Sequence, residues 1–265
     1  MANPPVIEGI RINLPTPSSA VTTAIDRSER GEGFSLFTLN LDHLVKLRAS
    51  AAFRRAYASA GLVSADGAPI VWLARRQASG VERTTGADLV EPLMAEAARR
   101  GVSVYVVGPG PDAQGRALSI LVGSYPGLRI AGAETPMVPG DDNGLADEFD
   151  IAGLAARINA SDARLCLLCL GAPKQELLAD ALRQRCPSVG FLGVGASLDF
   201  IAGEVSRAPR WMQVSGLEWS WRLFSQPKRL GLRYARCALL FAELATRAVI
   251  QGRQPTDPAL PEPAR

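Results

Sequence analysis

The chain has 265 residues, 29 Lys and Arg against 26 Asp and Glu, and a net charge of +3. That length suits one large domain with an appendage, and a charge so small makes no case for nucleic acid. With 47% hydrophobic and 21% charged residues the composition is that of a globular chain.

In chain order, the N-terminus MANPPVIEG lacks the basic and apolar regions of a leader. Val6–Ile12 reads as a short edge strand, and Ser18 or Ser19 as the cap of a helix running to about Arg30. FSLFTLN at Phe34–Asn40 predicts a strand, and Leu41–Ala60 a single helix. Within it lies the one His, His43, which leaves a carboxylate as the natural general base. Leu62–Ala65 predicts a strand ending in Asp66-Gly67-Ala68-Pro69, then a helix from Pro69 to Gln77. Open α/β sheets build sites at such strand ends. The plainer reading of Asp66 is that it caps the helix.

Thr84 or Thr85 opens a helix to Arg100, which Gly101 ends. SVYVV at Ser103–Val107 is a strand leading to Gly108-Pro109-Gly110, a helix to about Gly123, and a strand near Arg129–Ala133. Pro136–Gly144 reads as a polar loop, and a helix follows to about Asn159. Leu165–Leu170 is a strand, Pro173–Arg185 a helix, and Val189–Val194 a strand ending in Gly195-Ala196-Ser197. Cys166 and Cys169, three apart on a strand, face opposite ways and read as small core residues, not zinc ligands.

This alternation predicts an α/β fold, a parallel sheet flanked by helices, over residues 1–205. The next segment, 206–252, changes character. Arg207 to Arg253 carries nine Lys and Arg against two acids, and three of the four Trp. Leu230–Ile250 reads as helical, and 253–265 as a Pro-rich disordered tail.

Four strand ends carry polar residues: Thr38 and Asn40, Asp66, Gly171–Glu176, and Gly193–Ser197. Parallel strands bring such ends to one edge. Singly, Thr38 and Asn40 could be turn residues, and Gln175 and Glu176 solvated residues of a first turn. The glycine turns suit phosphate. There is no GxGxxG fingerprint, no P-loop and no DxD metal pair, so neither a bound cofactor nor a metal is expected. Arg229, Arg233 and Arg236 share a helix face beside Arg222 and Lys228. With interleaved Trp, Phe and Leu they suggest a membrane-surface element, the alternative being a basic helix packed on the domain. No apolar stretch reaches the ~18–20 residues that span a bilayer, so the expected location is cytoplasmic, peripheral to the inner face of the membrane.

The motifs TLN (38–40), ADGAP (65–69), ERTTGADL (82–89), LGAPKQE (170–176), GVGASLDFIAG (193–203), RAPRW (207–211), GLEWSWRL (216–223) and PKRLGLRY (227–234) follow in order. As a set they resemble the WecG/TagA/CpsF glycosyltransferase family. The resemblance implies a Rossmann-like, GT-E-like catalytic domain with a C-terminal membrane-associating appendage. It implies an inverting enzyme that moves a sugar from a UDP-sugar to a polyprenyl-diphosphate-linked acceptor for cell-envelope polysaccharide. Asp66 then resembles the general base, and Thr38, Asn40, Arg83 and Gln175 the sugar pocket. Gly193, Gly195 and Ser197 resemble the nucleotide side, and Arg222, Arg229 and Arg233 the diphosphate-holding arginines. Self-association stays open. The competing readings are a non-catalytic nucleotide- or lipid-binding membrane-surface protein and a nicotinamide-dependent oxidoreductase.

Overall fold

The computed structural model describes residues 3–250. The elements are β1 (Val6–Ile7), β2 (Ile10–Arg11), α1 (Pro17–Glu29), β3 (Phe34–Leu39), α2 (Leu41–Ala49), α3 (Ala51–Ser59), β4 (Leu62–Ala65), α4 (Ala68–Arg75), α5 (Gly86–Arg100) and β5 (Ser103–Val107). There follow α6 (Pro111–Ser124), β6 (Arg129–Glu134), β7 (Gly140–Asp141), β8 (Gly144–Leu145), α7 (Ile151–Ala160), β9 (Leu165–Leu168) and α8 (Lys174–Arg183). Last come β10 (Gly190–Gly193), α9 (Ser197–Ile201), α10 (Arg210–Val214), α11 (Glu218–Ser225) and α12 (Pro227–Ile250).

Six strands form one sheet in the order β4-β3-β10-β9-β5-β6, and every pairing is parallel. Strands buried on both faces must be apolar throughout, and FSLFTL, LVSA, SVYVV and LCLL are nearly so. The two faces carry separate cores. Phe37, Leu39, Val63, Cys166 and Phe191 pack with α2, α3, α4 and α8. Leu36, Leu62, Val104, Leu165 and Leu192 pack with α1, α5 and α6 on the other side. Cys166 and Cys169 fall in opposite cores as free buried thiols.

Local chemistry explains the boundaries. Thr16, not Ser18 or Ser19, is the cap of α1, with Ser19 closing a capping box. The expected helix Leu41–Ala60 breaks at Ser50, whose hydroxyl accepts from Phe53 N at 2.9 Å and starts α3. Gly101 is left-handed at φ 69° and ends α5. The polar loop at Pro136–Gly144 contains half of a small hairpin, β7 with β8. The long α12 agrees with the helical reading of Leu230–Ile250, and it packs on α2 and α4. The expected tail at 253–265 lies outside the described residues. No described helix is long and apolar enough to cross a membrane.

Candidate active site

Because the six strands are parallel, the ends of β3, β4, β9 and β10 share one edge of the sheet. Thr38 stands beside Ser64, and Leu39 beside Ala65. Asp66 N–H continues that ladder to Leu39 O at 2.8 Å, which sets the carboxylate next to the end of β3. Gly67, at φ 85°, takes the cap position of α4 without any side-chain hydrogen bond. Asp66 is therefore not the helix cap, and its carboxylate is left for other partners. Thr38 Oγ1 donates to Asp66 Oδ2 at 3.5 Å. Asn40 caps α2 by accepting from His43 N at 3.0 Å, and its amide donates to Asp66.

Asp66 is partly buried. Burial pushes its carboxyl up to about 6, against the hydrogen bond from Asn40 and the charge of Arg83; Glu218 adds to the rise and Arg222 opposes it. Arg83 is fixed by its neighbour: Thr84 N–H donates to Ala65 O at 2.7 Å.

Around Arg83 the charges alternate. Arg83 contacts Asp88 at 3.2 Å and Glu218 at 3.4 Å, while Arg207 contacts Asp88 at 2.6 Å and Glu218 at 3.2 Å. This ring ties the start of α11 to the start of α5, beside Asp66.

The β10 side is built differently. Gln175 and Glu176 are buried, not solvated as first-turn residues would be. Gln175 Oε1 accepts from Gly195 N at 2.9 Å, and its Nε2 donates to Glu176 Oε1 at 2.8 Å. A Cβ on Gly193 would lie 2.8 Å from Gln175 Nε2, so the close approach there is made by the glutamine amide. Ser197 Oγ donates to the Val194 carbonyl and is buried. Gly195, at φ 57°, has open space where a Cβ would stand. At Gly108 the Cys169 carbonyl makes the close approach.

The arginines of the C-terminal segment divide. Arg222 is exposed and near enough to act on Asp66. Arg233 Nε lies 3.3 Å from Asp42 on α2. The Arg229 side chain lies outside the described residues. Among the described residues no three His, Cys, Asp or Glu side chains converge as metal ligands do.

Compared with known protein families, residues 5–255 match the Glycosyl transferase WecG/TagA/CpsF family. The chain belongs to that family. As a WecG/TagA/CpsF glycosyltransferase it works in the synthesis of cell-surface polysaccharide or teichoic acid. Several polar residues of this glycosyltransferase escape a sequence reading at the level of single residues. Asp88 pairs with Arg207 across 119 positions and Glu218 with Arg83 across 135, and no local pattern announces that. Gln175 did carry a signal. It shares a helical stripe with Leu178, Ala179 and Leu182, all buried.

Proposed function

We propose that the protein transfers a sugar, with inversion, from a UDP-sugar to a polyprenyl-diphosphate-linked saccharide at the inner face of the cell membrane, with Asp66 as general base. The observation that carries this is the Asp66 carboxylate at the carboxyl edge of a parallel sheet, poised at about 6 between Thr38, Asn40 and Arg83. At neutral pH a group with that value is mostly ionised, yet basic enough to accept a proton as a bond forms. In the single displacement, the acceptor hydroxyl oxygen bonds to the anomeric carbon and its proton passes to Asp66. The bond from that carbon to the diphosphate oxygen breaks, and UDP leaves with the electron pair.

In this reading Thr38, Asn40 and Arg83 face the sugar, and the Gly193–Ser197 turn walls the nucleotide side, shaped by Gln175. Arg222, Arg229 and Arg233 supply positive charge to the diphosphates of donor and acceptor. The membrane assignment is supported by Trp211, Phe224 and Leu232, which are 65%, 81% and 68% exposed on α10, α11 and α12. Exposed Arg222, Lys228 and Arg236 lie among them and suit anionic headgroups.

The test is UDP release from a panel of UDP-sugars, with and without a short-chain polyprenyl-diphosphate saccharide. Release that requires the acceptor and one sugar supports the reading. Tight UDP binding without turnover on any pair overturns the catalytic assignment.

A further inference from the structure

Below Asp66 lies a polar cluster that the displacement does not use. Glu176 is fully buried. Its Oε1 accepts from Gln175 Nε2 at 2.8 Å and lies 3.8 Å from His43 Nε2. Its Oε2 has no hydrogen-bond partner among the described residues. His43 Nδ1 meets the Tyr57 hydroxyl at 2.6 Å. Burial pushes Glu176 up to about 7 and His43 down to about 3. Packing alone does not ask for a carboxyl here, since an apolar side chain of similar volume fills such a place at lower cost.

What the carboxyl does add is an orientation. The Gln175 amide presents an oxygen at one corner and an NH2 at the other, and the two are nearly the same shape. Only one of its two orientations lets Gly195 N–H donate to the glutamine oxygen, at 2.9 Å. An acceptor at Glu176 holds the NH2 corner on its own side and so selects that orientation. Gly193 completes the seat, because a Cβ there would lie 2.8 Å from Gln175 Nε2. The Glu176–Gln175–Gly195 chain thus runs from the first turn of α8 to the turn after β10.

We propose that Glu176 is a positioning residue: by accepting the Gln175 amide it locks the Gln175 oxygen onto Gly195 N–H and so sets the shape of the Gly193–Ser197 turn. Its consequence for donor binding rests on the assignment of that turn to the nucleotide side. Its geometry does not.

The experiment therefore has two arms, on the full chain with Glu176→Leu and Glu176→Gln. The first is amide hydrogen exchange followed by NMR. In Glu176→Leu the Gly195 amide exchanges roughly tenfold faster, while Phe191 and Leu192 in the β10 ladder keep their rates. Glu176→Gln, whose side-chain carbonyl still accepts from Gln175, stays within about twofold of the parent at all three. The second arm is calorimetric titration with UDP, in which Glu176→Leu weakens binding by roughly five- to tenfold and Glu176→Gln restores it.

An unchanged Gly195 rate in folded Glu176→Leu overturns the proposal. So does a uniform rise across β10, which marks a merely structural role. Should Glu176→Leu fail to fold, Glu176→Gln decides: retained protection at Gly195 supports the proposal, and lost protection overturns it. A parent protein that binds no UDP, with Gly195 deprotected in Glu176→Leu, leaves the positioning role standing and removes the nucleotide assignment instead.

Discussion

The two sides of the proposed site are held by different forces. Beneath the sheet edge, hydrogen bonds pair Asn40 with His43, His43 with Tyr57, and Gln175 with Glu176 and Gly195, all among buried or partly buried groups. Over it, α11 is tied down by ion pairs of Glu218 with Arg83 and Arg207 at 3.4 and 3.2 Å, and neither α10 nor α11 buries a single residue. Hydrogen bonds in low dielectric define one geometry and resist salt. Partly exposed ion pairs of that length are weak and screened. The lower half is a fixed template, then, and the upper half is held to it by weaker contacts, which suits the lipid-linked acceptor proposed above. The C-terminal segment is itself split. The far part of α12 joins the core through Leu240, Leu244 and Ala248, and Arg48 bonds Glu243 at 2.7 Å.

The largest expected effect falls on the template. Asp66→Asn keeps the shape and removes the proposed base, so turnover drops by ~10²–10⁴-fold with UDP affinity nearly unchanged. Steady-state rates and UDP titration on the same preparation check both halves. Full turnover in Asp66→Asn would take the base out of the fixed half of the site. The parent enzyme gives a second view. A general base must be ionised to act, so kcat/KM rises tenfold per pH unit below about 6 and levels off above it. A profile flat down to pH 5 breaks the assignment.

Next in size is a pair of substitutions that sets the two parts of the C-terminal segment against each other. Leu244 is 6% exposed in the core, and Leu244→Ala costs about 2–3 kcal/mol of stability by denaturant unfolding. Phe224, on α11, is exposed, and Phe224→Ser leaves stability within about 0.5 kcal/mol. Its effect is on partitioning to anionic vesicles in a sedimentation assay, which falls severalfold. Equal effects of the two on stability would mean that α11 is packed as firmly as α12.

The same division explains what could be read from the sequence. The template was legible wherever its chemistry is local. An apolar run ending in Asn40, or in Asp66 with a glycine next, is enough to mark a strand end. Gly101 and the two-faced Cys166 and Cys169 follow equally from short-range rules. Ser50 was hidden inside a continuous apolar stripe, where a capping hydroxyl outweighs the helical period on either side of it. The burial of Glu176 is not legible locally, because a charged residue in a first helical turn is normally solvated. Here α8 begins against β3 and β10, so its first turn is already inside. The ion-pair ring needs four residues from distant segments, and charge patterning along the chain carries no such information.

The smallest expected effect probes the ring. Glu218 faces Arg83 and Arg207 and is one of the influences that hold Asp66 high. Glu218→Gln removes a negative charge near Asp66 and also frees the two arginines to act on it. Both changes favour the ionised carboxylate, so they lower its pKa and have the same sign. The acid limb of the kcat/KM profile therefore moves to lower pH, and the rate at neutral pH changes by less than about threefold. Stability changes by no more than about 1 kcal/mol, because the pairs lost are partly exposed. Raising the salt concentration on the parent protein should move the limb only weakly, since it screens Arg83 and Glu218 alike while their effects on Asp66 oppose each other. A limb that stays in place in Glu218→Gln would mean that the upper half lies too far from the base to tune it, and that the template alone sets the chemistry.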